Sequence, residues 1–142
     1  MIDNNKDMLT TMWDMQRGLQ SRLGYDLHRM SAKDKAAYIK EFSIHLNQEI
    51  NEALYELPFF KPWKDYSCMT LDEQDKAFDA YLKEMVDAFH FFLNMLLPLG
   101  ITPEHFFNGY VGKNIENHQR QDAGYTHDIL HTSRKENTDG QD

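Results

Sequence analysis

The sequence holds one cysteine, Cys68, so it can form neither an intramolecular disulfide nor a cysteine zinc cluster, and it suits a reducing compartment. It is also short of positive charge: 15 Lys and Arg stand against 23 Asp and Glu, a net charge of −8. So acidic a chain has no cationic surface broad enough to neutralise a run of phosphates, and nucleic-acid binding is excluded as an expectation. Long apolar runs are missing as well. The stretch 88–99 is broken by His90, Asn94 and Pro98, and the opening Met1-Ile2-Asp3-Asn4-Asn5-Lys6-Asp7 is polar. Neither a membrane span nor a secretion signal is therefore expected, and the cytoplasm is the expected location. No strand-like alternation occurs, which points to an all-α fold. At 142 residues, one domain with a single core is expected, without staples.

What the chain does have is helical periodicity. Met8, Met12, Met15, Leu19 and Leu23 recur at three-to-four spacing within a first helix over 3–23, with Gly24 as its C-terminal stop. Ser31 and Asp34 open a second, whose stripe of Ile39, Phe42, Leu46, Ile50, Ala53 and Leu57 runs up to Pro58. Thr70-Leu71-Asp72-Glu73 is a capping box and opens the third and longest, with Phe78, Leu82, Met85, Phe89, Leu93 and Leu96 along one side as far as Pro98 and Gly100. Thr102-Pro103-Glu104 starts a fourth that runs toward Asn117. A bundle of four main helices over residues 1–130 is the expectation, followed by a polar tail, 131–142, too poor in apolar residues to offset the entropy of ordering.

Two pairs of acids stand out on these helices: Glu49-x-x-Glu52 on the second and Glu84-x-x-Asp87 on the third. A three-residue spacing puts both carboxylates of a pair on one helix face, where like charges repel unless a cation neutralises them. Side-by-side packing of the two helices brings the pairs together as a half-buried cluster, and an all-oxygen donor set favours Mg²⁺ or Mn²⁺. On spacing alone, ordinary solvated helix charge is the commoner reading of such acids. Di-iron chemistry of the bundle type requires Glu-x-x-His on two helices, a motif this sequence does not contain; Asp87-x-x-His90 is the nearest approach.

Five blocks taken in order, Gln16-x-x-Leu19 with Leu23, Glu49-x-x-Glu52, Lys61-Pro62-Trp63-Lys64, Glu84-x-x-Asp87-x-x-His90-Phe91 and Asn117-x-x-Arg120-Gln121, resemble the motifs of the dimeric dUTPases. That family belongs to the all-α nucleoside triphosphate pyrophosphatases, alongside MazG-type enzymes and phage dCTPases. The resemblance spans residues 16–121 and implies cleavage of dUTP to dUMP and pyrophosphate by water attack at the α-phosphorus. It implies that Glu49, Glu52, Glu84 and Asp87 hold Mg²⁺, with Glu49 or Glu52 also accepting the water's proton. It makes Lys61, Lys64, Lys113, Asn117, Arg120 and Gln121 candidates for holding the triphosphate, Gln16 the candidate reader of the base, and Trp63, His90, Phe91 and Asn94 candidates for the pocket wall around base and sugar. Two positions depart from the family pattern: Gln20 stands where an acidic residue or Asn is usual, and Pro62 where an aromatic is common. They leave dCTP, or both pyrimidines, open as the substrate. A homodimer is expected both from the resemblance and from the aromatic-rich apolar surface, which exceeds what one small core hides. A contrasting reading is a non-catalytic helical adaptor whose acids face solvent and whose helices bind a partner protein; the intact spacing of all the charged motif residues argues against it.

Overall fold

A computed structural model describes residues 7–124, so the expected 131–142 tail and the first few residues of the expected first helix lie outside the described part. The elements, in order, are α1 (Met8–Arg22), α2 (Ala32–Glu56), α3 (Leu71–Leu96), a 3-10 turn at Leu97–Leu99 and α4 (Pro103–Asp122). Among the described residues there is no strand, and the all-α expectation holds. Two compact units result, one reaching to Thr102 and the other starting at Pro103.

Local chemistry sets the boundaries. Asp7 caps α1 by accepting from Thr10 N at 2.9 Å, and Ser31 caps α2 by accepting from Asp34 N. At α3 the capping box is complete: Thr70 accepts from Glu73 N, while the Glu73 carboxylate accepts from Thr70 N at 2.8 Å. The end of α1 is a Schellman arrangement, Tyr25 N donating to Gln20 O and Gly24 N to Ser21 O. It requires the left-handed backbone that Gly24 supplies at φ 90°. The fourth helix runs past Asn117 to Asp122, since nothing before Gly124 breaks it.

Within the first unit, α2 and α3 form the main pairing. Phe42 and His45 meet Phe91, at ring-centroid distances of 5.7 and 5.3 Å, while Glu49, further along α2, meets Glu84, earlier on α3. Rising numbers on one helix against falling numbers on the other make the pair antiparallel. The core, Leu27, Tyr38 and Phe42 with Met30, Phe91, Met95 and Leu97 packed against it, sits at the end of this pair nearest the α1–α2 connection.

The inner face of α1 differs from the one its sequence suggests. Trp13, Gln16 and Gln20 are buried, whereas the stripe of Met8, Met12, Met15, Leu19 and Leu23 faces outward, Met8 being 82 % and Leu23 62 % exposed. Hydrogen bonds explain the choice. Gln16 Nε2 donates to Asn94 Oδ1 of α3 at 2.8 Å, Tyr38 Oη of α2 donates to Gln20 Oε1 at 2.7 Å, and Trp13 Nε1 donates to Ile101 O at 3.0 Å. Buried amides with such partners lose little on desolvation, and the polar face is the one specific partners hold.

Leu93 is 1 % exposed and Leu19 44 %. Truncating Leu93 to Ala is expected to cost about 2–5 kcal/mol, while Leu19→Ala costs under about 1 kcal/mol to a monomeric chain; urea denaturation of the two variants checks the contrast.

Candidate functional site

The acidic pairs converge. One carboxylate oxygen each from Glu49, Glu52 and Glu84 lies within 4.8 Å of the others, bringing two turns of α2 against one of α3. Glu49 and Glu84 are half-buried and Glu52 is exposed. Burial pushes the Glu49 carboxyl above its ordinary range, and the charges of Glu52, Asp87 and Glu84 push it further, together with a side-chain hydrogen bond to Glu84. Asp87 lies outside the tight group of three but close enough to act on Glu49, and its Oδ1 is 3.5 Å from His90 Nδ1. Gln48 Nε2 donates to Glu52 Oε1 at 2.8 Å and orients it.

A hard divalent cation fits this set. The donors are all oxygen, come from more than one helix and already crowd one another enough to push the Glu49 carboxyl above its ordinary range. A cation relieves that repulsion. Glu49, Glu52 and Glu84 are the residues that could hold it, with Asp87 at the margin.

Beyond the carboxylates the same seam changes character by turns. One helical turn before Glu49 comes His45, whose ring lies 5.3 Å from Phe91 and 6.0 Å from Phe42. Past these rings lie the amides, Asn94 one turn beyond Phe91 on α3 and bonded to Gln16, then Gln20 bonded to Tyr38. From Glu49 to Tyr38 the seam runs about 16 Å along α2, at 1.5 Å per residue. Charge, flat rings and directional amides thus follow one another along a single seam between helices.

The remaining expected site residues belong to other segments of the chain. Lys61, Trp63 and Lys64 occupy the α2–α3 connection, where Lys64 N donates to Lys61 O at 3.0 Å and Lys61 Nζ stands 4.7 Å over the Tyr55 ring. Trp63 is 78 % exposed. Phe59, at φ 68°, holds this connection in a left-handed turn, beside a cavity of about 410 Å³ lined by Phe59, Lys61, Pro62, Lys64, Tyr66 and Ser67. Lys113, Asn117, Arg120 and Gln121 are exposed on α4, where Lys113 and Arg120 both pair with Glu116, Lys113 at 2.7 Å. His45, Gln48 and Tyr38 are seam residues that the motifs do not mark. Their signal is spacing: 38, 42, 45, 49 and 52 all fall on one face of α2.

The crowding of Glu49 carries a sign. A carboxyl raised in the folded state adds stability below the unfolded value of 4.5, and that contribution is lost as pH rises through the folded value. The metal-free protein is therefore expected to lose melting temperature just above pH 4.5 relative to Glu49→Gln, and Mg²⁺ is expected to restore it near pH 7. Thermal melts of both proteins in EDTA and in Mg²⁺ check this.

The sequence model of a family described as dUTPase matches residues 8–108, the span that contains α1, α2 and α3. The chain is 33 % identical to a dCTP pyrophosphatase of Enterobacteria phage T4 over 87 % of its own length and 86 % of that protein. To a dCTP pyrophosphatase of Enterobacteria phage LZ5 it is 34 % identical, with the same shares covered. A longer phage T4 protein, named DNA replication protein, is 31 % identical over 80 % of this chain but only 35 % of its own length. No solved structure matches significantly. With its acidic pairs converging between two antiparallel helices inside the matched span, the chain belongs to the dimeric dUTPase family of the all-α nucleoside triphosphate pyrophosphatases.

Proposed function

We propose that this chain hydrolyses pyrimidine deoxynucleoside triphosphates, dUTP and dCTP, to the monophosphate and pyrophosphate, with Mg²⁺ as its metal. The carrying observation is the convergence of Glu49, Glu52 and Glu84 within 4.8 Å, next to an aromatic and an amide section of the same seam. Family membership supports dUTP, and the two phage relatives support dCTP. The adaptor reading requires acids that stay apart in solvent, and the crowding felt by Glu49 speaks against it.

Mg²⁺ held by these carboxylates supplies Lewis acidity toward phosphate oxygens and neutralises charge on the triphosphate and the leaving pyrophosphate. Glu49 or Glu52 accepts the proton of the attacking water, and Gln48 keeps Glu52 oriented for that task. Phe91 packs against the deoxyribose, with the His45 ring 5.3 Å from its own and His90 just before it in sequence, and Gln16 and Asn94 face the base. Lys61, Lys64, Lys113 and Arg120 supply positive charge for the triphosphate, with Asn117 and Gln121 as neutral donors and Trp63 as an aromatic wall. Lys113 and Arg120 exchange Glu116 for phosphate when they do so.

The protein works as a homodimer in this reading. The outward stripe of α1 supports it, as do Leu82, 59 % exposed, and Ile44, 60 % exposed, which leave large apolar side chains uncovered in one copy.

Incubation with Mg²⁺ and each deoxynucleoside triphosphate, with pyrophosphate release as the readout, is expected to show turnover of dUTP and dCTP; absence of release from either pyrimidine overturns the enzyme reading. Glu52→Gln is expected to fold normally and to lose about 10²–10⁴-fold in kcat, the range a positioned proton acceptor contributes. Asp87→Asn is expected to lower metal affinity. Sedimentation is expected to give a dimer, which Met15→Glu on the exposed stripe shifts toward monomer; a monomeric wild type refutes the assembly.

A further inference from the structure

The last turns of α4 gather two cations around one acid. Lys113 Nζ donates to Glu116 Oε2 at 2.7 Å, and Arg120 Nη2 pairs with the other oxygen, Glu116 Oε1. Lys113, Glu116 and Arg120 follow one another at spacings of three and four and so share one helix face, with side chains 56, 45 and 53 % exposed. Glu116 is the only acid between residues 113 and 121, a stretch otherwise rich in amides. The family match ends at residue 108, so this cluster lies beyond it.

Two cationic heads brought to the two oxygens of one carboxylate form a clamp for an oxyanion, and a phosphate offers the same kind of oxygens with more charge. The helix does not need Glu116 to keep its cations: Arg120 sits in the last turn, where the helix dipole already favours positive charge. What Glu116 adds is the convergence of the two heads and an occupant between them. The hydrogen bond from Lys113, against the effect of burial and with the charges of Arg120 and Lys113 adding to it, holds the Glu116 carboxyl below its ordinary range. It therefore carries its charge at neutral pH and competes with any anion that approaches the pair.

A tethered competitor sorts anions by what else holds them. A ligand bound by the pair alone has to displace Glu116 with its own charge. A nucleoside triphosphate held at other points as well brings its phosphates to the pair at high effective concentration and displaces the carboxylate more readily. Once the chain is cut, pyrophosphate loses the hold that came through the nucleoside, and Glu116 returns to the cations.

We propose that Glu116 is an internal stand-in for the phosphate chain: it keeps Lys113 and Arg120 converged in the free protein and displaces pyrophosphate from them after cleavage. It is a positioning residue that acts through those two cations. The proposal rests on the reading of Lys113 and Arg120 given under Proposed function and adds a regulation of that site.

Calorimetric titration of pyrophosphate, with Mg²⁺ in excess, into the wild-type protein and Glu116→Gln tests this. Glu116→Gln is expected to bind pyrophosphate about two- to fivefold more tightly, the range that a screened surface ion pair allows, with the gain shrinking at about 1 M salt. The gain is expected to vanish when Lys113 and Arg120 are both replaced by Gln, and Glu104→Gln, in the first turn of the same helix, is expected to give none. In turnover of dUTP, inhibition by added pyrophosphate is expected to tighten by the same factor. A purely helix-stabilising ion pair predicts the opposite sign, because losing it scatters the cations and weakens pyrophosphate. Unchanged or weaker binding therefore overturns the proposal, and so does a gain that persists without Lys113 and Arg120 or that Glu104→Gln matches. Should circular dichroism show that Glu116→Gln has lost helix, Glu116→Asp decides. Its shorter arm keeps the charge but does not span both cations, and binding no tighter than wild type overturns the proposal. If dUTP is cleaved and Glu116→Gln changes nothing, the enzymatic reading stands and this one falls. If no triphosphate is cleaved but Glu116→Gln tightens pyrophosphate through Lys113 and Arg120, this one stands and the enzymatic reading falls.

Discussion

Carboxylates crowded into the seam between two long helices push those helices apart, and the rest of the first unit is organised against that push. Glu49 experiences it most, through partial burial and through the charges of Glu52, Asp87 and Glu84. The opposing attraction lies further along the same seam, where Phe42, Phe91 and Tyr38 pack with Leu27 and their neighbours. An α2–α3 pair clamped at its aromatic end can tolerate repulsion at its acidic end, and that tolerance lets the acids stand together with no counter-charge among them.

The seam changes chemistry along its length because the two helices run antiparallel. Each turn of α2 is matched by an earlier turn of α3, so acids meet acids, rings meet rings, and the amide of Asn94 is left for α1 to complete. Order along the seam is thus inherited from order along the chain.

Most helix boundaries were legible because capping is local: Ser31, the Thr70 and Glu73 box, and Pro103 act on neighbours within a turn. The acidic pairs were legible as pairs, and their convergence follows from placing both at the border of an apolar stripe. The inner face of α1 was not legible. Its apolar periodicity in Met8, Met12, Met15, Leu19 and Leu23 is real, but hydropathy cannot register that Asn94 and Tyr38 offer Gln16 and Gln20 specific partners 78 and 18 residues away. His45 escaped for a related reason: a single histidine one turn from an acid carries no motif, and only the ring of Phe91 beside it gives it a place in the seam.

The fastening of α1 also bears on the order in which the protein opens. Its ties to Asn94 and Ile101 span 78 and 88 residues and are largely polar, whereas the α2–α3 hairpin joins elements that follow one another in the chain. Distant contacts are the costliest to close and the first to be lost in partial unfolding. Amide protons on α1 are therefore expected to exchange with solvent before those at the centre of α3. The helix that the longest ties hold is thus the most labile part of the unit, and the α2–α3 pair outlasts it.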